Sequence, residues 1–318
     1  MTGKLGGAPK RTFAHVAVLM GGLSAERSVS LNSGEAVATA LEGEGYRVTR
    51  LDVGRDIAAR LAEVRPDVCF NALHGRFGED GCIQGILETM AIPYTHSGVL
   101  SSALAMNKAH AKTVMRSMGV PVAQDILATR EEAASEHLLE PPYVVKPVDE
   151  GSSVGVVIVR QGSNDTSRLI REGGPADQIV MVERFIPGRE LTCAVIGDVV
   201  TDVIEIVPER GLAFYDFEAK YAPGGSRHEL PAQLLPDIYQ LVRKYTLAAH
   251  ASLGCRGVSR ADFRLDDARG EAGELICLEV NTQPGMTGTS LVPELAAYAG
   301  WSFGELARWI VEDASCSR

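Results

Sequence analysis

The first apolar run of the chain, His15 to Met20, ends at Gly21-Gly22, and from about Ser28 to Leu41 apolar residues return at helical spacing. The pattern is that of a strand, a turn and a helix. Strand patterns recur at Tyr46 to Leu51 and Asp67 to Ala72, with helical patterns between and after them, which predicts a parallel α/β layer ending near Met106. After a helical pattern from about Ala103 to Met118, strand signals crowd together at Tyr143 to Lys146, Val154 to Val159, Ile179 to Glu183 and Glu190 to Ile196, a succession that favours hairpins. A third block reads as a strand at Val199 to Val207, a long helix at Leu234 to Leu253, and strands at Val258 to Leu265 and Glu274 to Asn281. No tandem repeat or low-complexity tract interrupts these blocks. The chain is therefore expected to divide into a loose, flexible tail (1–12), an N-terminal α/β domain (13–106), a central subdomain (107–196) and a C-terminal subdomain (197–318).

Composition narrows the function classes. The 318 residues, 45% apolar and 23% charged, suffice for two or three ordinary globular domains. A formal net charge of -10 gives no general attraction to nucleic acid or to an anionic membrane, so an anionic ligand needs locally concentrated Lys and Arg. The six cysteines form no Cys-x-x-Cys pair, several lie in strand-like runs, and they read as reduced core residues of a cytoplasmic protein. Met1 to Thr12 is basic and Gly-rich without an apolar signal core, and no apolar stretch reaches membrane-spanning length.

The polar pattern carries the chemistry. Arg260, Asp262 and Arg264 alternate with Ala261, Phe263 and Leu265, which places the polar three on one strand face. Glu279 and Asn281 alternate in the same way with Leu278 and Val280, and antiparallel pairing of the two strands would bring Asp262, Glu279 and Asn281 together. Two carboxylates and an amide oxygen suit a hard cation such as Mg2+, with Arg260 beside them to neutralise developing charge. A solvated strand face with surface ion pairs would show the same alternation. The loop Glu150 to Gly155 follows a strand ending at Lys146-Pro147 and could close its N–H groups over phosphates. It lacks the spacing of a P-loop, and taken alone a hairpin turn is the favoured reading. The polar, aromatic stretch Phe214 to Pro231 fits a mobile lid and an ordinary surface loop equally. Gly21 to Ser30 sets hydroxyls and Glu26 at a strand-to-helix turn, where Ser24 or Ser28 as a plain helix cap is the alternative; a second cluster, Leu73 to Gly81, follows another strand end.

In order along the chain, these segments resemble the D-alanine–D-alanine ligase family of ATP-grasp enzymes. The resemblance rests on Gly21 to Ser30, Leu73 to Gly81, Met106-Asn107-Lys108, the Lys146 strand with Gly151 to Gly155, Glu183, Glu190, Glu218-Ala219-Lys220-Tyr221, Arg260 with Asp262, and Glu279 to Pro293. It implies an α/β ATP-grasp fold of three domains, a Rossmann-like N-terminal parallel sheet and two α+β lobes enclosing ATP. By the same resemblance Lys108, Lys146, Lys220 and Ser153 are nucleotide and phosphate ligands, Glu183 and Glu190 lie on the adenine and ribose sides, and Asp262, Glu279 and Asn281 hold two Mg2+ ions, with Mn2+ as a substitute. Glu26 receives the ammonium of the first D-alanine, His74 lies near its carboxylate, and Ser290 and Leu291 help bind the second. Glu26, Ser152 and Tyr221 form a triad that locks the lid, while Arg260 and the N–H of Gly285 face the oxyanion. The implied reaction runs through an acylphosphate that the second D-alanine attacks, releasing ADP and phosphate, for cell-wall precursor synthesis in the cytoplasm; a homodimer is expected. Two departures from the family pattern are Asn107, where Asp is common, and Thr289, where His is common. The rival readings are D-alanine–D-serine and D-alanine–D-lactate ligases on the same fold, Tyr221 speaking against the lactate version, another ATP-grasp carboxylate–amine ligase, and a non-catalytic nucleotide-binding regulator.

Overall fold

A computed structural model of the protein describes residues 6, 9–151, 155–162, 166–208, 226–270 and 273–318; Ser152, Ser153, Lys220 and Tyr221 lie outside the described residues. Strands β1 (His15–Met20), β2 (Arg47–Asp52) and β3 (Val68–Asn71) form a parallel sheet in the order β2-β1-β3. Every residue of β1 is buried, because both faces of the sheet are covered. Val16 and Val18 pack with Val37 and Leu41 of α1 (Arg27–Gly43), whereas Ala17 and Leu19 pack with Leu61 of α2 (Ile57–Val64) and Leu87 of α3 (Cys82–Thr89). The parallel α/β layer expected from the apolar runs is thus present.

The single helix expected at 103–118 is two helices, α4 (Val99–Met106) and α5 (Lys108–Ser117), broken at Asn107. Asn107 adopts an extended backbone and its side-chain oxygen accepts the His110 N–H at 3.1 Å, so it caps the second helix. Asp and Asn cap equally well, which accounts physically for the exchange at this position.

Strands β4 (Asp125–Thr129), β5 (Tyr143–Pro147), β6 (Val157–Val159) and β7 (Ile179–Arg184) form an antiparallel sheet in the order β4-β7-β5-β6, with α6 (Arg130–Ser135) and α7 (Thr166–Glu172) beside it. Tyr143, Val145, Val180 and Val182 share its apolar core. A second antiparallel sheet, β10-β9-β8-β11-β12, comprises β8 (Arg189–Ile196), β9 (Val199–Pro208), β10 (Ser226–Glu229), β11 (Val258–Asp266) and β12 (Glu274–Asn281). The expected boundary at 196/197 falls between two paired strands: β8 bonds to β9 and β11, so it belongs with the C-terminal sheet and not with the central one. Helix α8 (Pro236–Ser252) covers one face of this sheet through Val242 and Ala249, packed with Leu191, Cys193 and Phe263.

The last helices, α9 (Leu291–Tyr298) and α10 (Phe303–Glu312), join the two ends of the chain. Val292, Leu295 and Ile310 share one core with Val18 and Phe70 of the parallel sheet and with Ala194 and Ile206 of the five-stranded one. Of the cysteines, Cys69, Cys193, Cys255 and Cys277 are buried as expected, but Cys82 is exposed at the start of α3 and Cys316 is partly exposed. No helix among the described residues is long and apolar enough to cross a membrane.

Gly188, between β7 and β8, has φ +89°, and a Cβ there would collide with the Leu265 carbonyl oxygen. Its own carbonyl accepts from Arg264 Nη2 at 2.9 Å. Gly188→Ala is therefore expected to lower stability by about 2 kcal/mol, through strain and displacement of β8. An unchanged denaturant midpoint would show that the turn accommodates a side chain.

Candidate active site between the two antiparallel sheets

Strand β11 lies between β8 and β12 with antiparallel register on both sides. Asp262 stands opposite Thr192 and Glu279, Arg260 opposite Asn281, and Arg264 opposite Glu190, so these groups share one face. Arg260 forks onto its own strand neighbour, Nε to Asp262 Oδ1 at 2.9 Å and Nη2 to Oδ2 at 2.7 Å, and Thr192 Oγ1 donates to Oδ1 at 2.6 Å. Arg264 pairs with Glu190 at 3.2 Å. The register shifts after Asp262, leaving Leu278 as the extra residue of a β-bulge on β12. Strict alternation put Leu278 on the opposite face from Glu279; the bulge brings both to the cleft wall.

On the central sheet, Tyr143 and Val145 of β5 point to the core, so Val144 and Lys146 point the other way; on β7 the same alternation turns Met181 and Glu183 outward. Lys146 and Glu183 are diagonal neighbours on that face, and Lys146 Nζ donates to Glu183 Oε2 at 2.6 Å. The other oxygen of Glu183 accepts from Lys112, four residues along α5 from Lys108. Burial works against ionisation of Glu183, but the ammonium groups of Lys146 and Lys112 outweigh it and hold the carboxyl below the usual range. Lys108 Nζ donates to the Glu150 carbonyl at 2.6 Å and stands 3.5 Å from Glu279.

The third wall comes from the parallel sheet. Glu26 is the N-cap residue of α1, and its side chain does not cap the helix. Neither Ser24 nor Ser28 takes the N-cap position; Ser24 Oγ donates to the His74 carbonyl at 2.6 Å and accepts from Glu26 N at 3.2 Å, tying the two strand-end clusters together. A Cβ on Gly75, φ +67°, would lie 2.5 Å from Glu26 Oε2, so only glycine lets the two loops approach. His74 is buried, with Nδ1 3.0 Å from Glu79 Oε1 and Nε2 3.3 Å from Ser33 Oγ. Ser290 begins α9 but does not cap it; its hydroxyl accepts from Thr287 N at 2.9 Å and lies close to where a Cβ on Gly285 would fall.

These groups line two adjoining clefts. Glu26, His74, Arg260, Asn281, Gly285, Ser290 and Leu291 line the first; Lys146, Glu183 and Arg264 line the second; and Lys108, Glu190, Asp262 and Glu279 belong to both. Thr289 also lines the first cleft. Of the expected lid at 214–231, residues Ser226–Glu229 form edge strand β10, paired with β9; the Lys220–Tyr221 part and Ser152–Ser153 lie outside the described residues. Among the described residues no group of three or more His, Cys, Asp or Glu side chains is placed to hold a metal ion; the expected oxygen set, Asp262, Glu279 and Asn281, lies on adjoining positions of β11 and β12.

Sequence reasoning held Glu79 only as a member of the Leu73 to Gly81 cluster and missed Thr192 and Leu278 at the site and Lys112 in contact with Glu183. Lys112 was signalled by its position one helical turn from Lys108. Thr192 needed the register of β8, and Leu278 the bulge.

A family model described as the D-ala D-ala ligase C-terminus matches residues 114–312, and one for the D-ala D-ala ligase N-terminus matches residues 54–97. D-alanine–D-alanine ligase B of Mesorhizobium japonicum is 61% identical over 305 residues, 96% of this chain and 99% of the relative. The D-alanine–D-alanine ligase of Methylobacterium radiotolerans is 64% identical over the same shares. The crystal structure of D-alanine–D-alanine ligase from Bacillus anthracis complexed with ATP is similar with a TM-score of 0.78 at 29% identity, covering 94% of this chain and 97% of that one. With a family model over most of its length and such relatives end to end, the chain belongs to the D-alanine–D-alanine ligase family and is an enzyme of the ATP-grasp fold.

Proposed function

We propose that the protein joins two molecules of D-alanine into D-alanyl-D-alanine for peptidoglycan precursor synthesis, in an ATP-dependent reaction that passes through D-alanyl phosphate and releases ADP and phosphate. One observation supports this reading most. Lys108, Asp262 and Glu279 stand where a cleft reaching Glu26 and Ser290 meets a cleft reaching Lys146 and Glu183, so amino-acid and nucleotide groups share a junction. D-serine and D-lactate variants are not favoured by the names of the relatives.

In this reading the carboxylate of the first D-alanine attacks the γ-phosphorus of ATP, and the amine of the second attacks the resulting acyl carbonyl, expelling phosphate. Glu26 takes the ammonium of the first substrate. His74 lies at its carboxylate, its ring held from both nitrogens by Glu79 and Ser33. Lys108 and Lys146 receive the phosphates, Glu183 the adenine side and Glu190 the ribose side. Arg260, pre-aimed by its fork on Asp262, and the Gly285 N–H face the oxyanion, where fixed donors stabilise charge without reorganising. Ser290 and Leu291 form the acceptor side. Ser152, Ser153, Lys220 and Tyr221 keep the phosphate-side and closing roles that the resemblance implies, and the assembly proposed on the same ground is a cytoplasmic homodimer.

The donor set also fits divalent cations. A carboxylate offers about four acceptor sites, and Asp262 uses three of them on Arg260 and Thr192; Asn281 Oδ1 uses one of its two on Gln283 N at 2.9 Å. Acceptor sites on Asp262 and Asn281 therefore remain, and these two with Glu279 would hold two Mg2+ ions, or Mn2+. Bound there, such ions would supply positive charge against the developing negative charge of the phosphates.

The assay is phosphate release from ATP and Mg2+ with D-alanine, L-alanine, D-serine and D-lactate in turn, with products identified by mass. Release with D-alanine and a product of the dipeptide mass is expected; ATP hydrolysis without dipeptide, or a preferred ester product, would overturn the reading. A second measurement addresses the cations. Glu279→Gln keeps the shape and removes one negative ligand, so the Mg2+ concentration for half-maximal rate is expected to rise about tenfold with unfolding unchanged. Near-normal activity at low Mg2+ would remove Glu279 from the metal set.

A further inference from the structure

Lys112 is 1% exposed and lines neither cleft, yet its charge sits directly behind the groups read as nucleotide ligands. Its ammonium contacts Glu183, Asp125 Oδ1 at 2.9 Å and Met181 Sδ at 3.9 Å, which occupies its three donors. Arg116 holds Asp125 from the outside at 2.9 Å. Glu183, 3% exposed, therefore has one oxygen on Lys112 behind it and the other on Lys146, which is 9% exposed at the cleft.

A buried carboxylate left with one counter-ion holds it tightly, because few other groups or waters compete in a low-dielectric setting. Without Lys112, Lys146 would be the sole cation on Glu183 and would be drawn away from an incoming phosphate. We infer that Lys112 is a positioning residue for the nucleotide: by holding the inner oxygen of Glu183 on the same sheet face as Lys146, it leaves Lys146 able to turn toward a phosphate and keeps the outer oxygen of Glu183 aimed at the base. This rests on the roles proposed above for Lys146 and Glu183. Lys112 touches no ligand itself, and its effect passes through the carboxylate.

The test compares the full-length wild type with Glu183→Gln, Lys112→Met and the double variant. It reads kcat, the KM for ATP and for D-alanine, and the preference for ATP over GTP, with thermal unfolding as the check on folding. Lys112→Met is expected to raise the KM for ATP about tenfold and to weaken the ATP preference, with kcat and the KM for D-alanine within about threefold, the pattern of lost nucleotide binding. Because it acts through Glu183, it should add little in the Glu183→Gln background. A folded Lys112→Met with wild-type nucleotide parameters overturns the inference, as does an effect that adds in full to that of Glu183→Gln. Should Lys112→Met fail to fold because Glu183 is left with too few partners, the double variant removes both charges and is read against Glu183→Gln: equal KM values support the inference, and a further tenfold rise of about the size expected above overturns it. If Glu183→Gln alone leaves the ATP parameters unchanged, the underlying nucleotide role of Glu183 fails, in a chain where Lys112 is intact.

Discussion

Strand β11 is held on both edges, by β8 and by β12, and the geometry of the clefts follows from that pairing. A slip of one residue on either side would turn Asp262 away from Glu279 or from Thr192. What prevents the slip is the opposite face, where Ala261, Phe263 and Leu265 are buried against Val242 and Ala249 of α8. The apolar face thus specifies the polar one. The bulge on β12 adds a local twist that carries Leu278 to the cleft beside Glu279, giving the polar row an apolar neighbour.

Electrostatics in the clefts run against the charge of the whole chain. A protein of net charge -10 gathers Lys108, Lys146 and Arg260 around one junction, each already in contact with an acidic side chain. An unpaired buried charge would be costly, and a paired one can exchange its partner for a phosphate when a ligand arrives. The same economy explains why the acids are embedded: Glu183 and Asp262 are buried, and each is satisfied by several donors from different strands or helices. Prearrangement of this kind lets a site bind and polarise an anion with little rearrangement of its own dipoles.

The third wall depends on contacts between the ends of the chain. The shared core of Val18, Phe70, Val292, Leu295 and Ile310 presses the parallel sheet against the five-stranded one. Gln283, just beyond β12, reaches Asn71 at the end of β3 at 2.6 Å and also donates to the Leu73 carbonyl. Glu26 and His74 are thereby placed opposite Arg260 and Ser290, although they lie far apart in the sequence, a separation that only tertiary packing bridges.

Strand and helix types were legible in the sequence because their periodicities differ: the runs at His15 to Met20, Glu190 to Ile196 and Val258 to Leu265 are strands, and the alternation in Arg260 to Leu265 already placed Arg260 and Asp262 together. The break at Asn107 was not, since a capping hydrogen bond can interrupt a helical pattern without a Gly or Pro to mark it. Nor was the allegiance of β8, because hydrogen-bond partners between strands leave no trace in the order of residues. Lys112 carries the plainest lesson. Its sequence context determined that it sits on a helix, one turn from Lys108; only the tertiary structure, which brings Asp125 of β4 and Glu183 of β7 to it, decided that its charge is buried between them, because burial and partners are properties of surfaces brought together from distant parts of the chain.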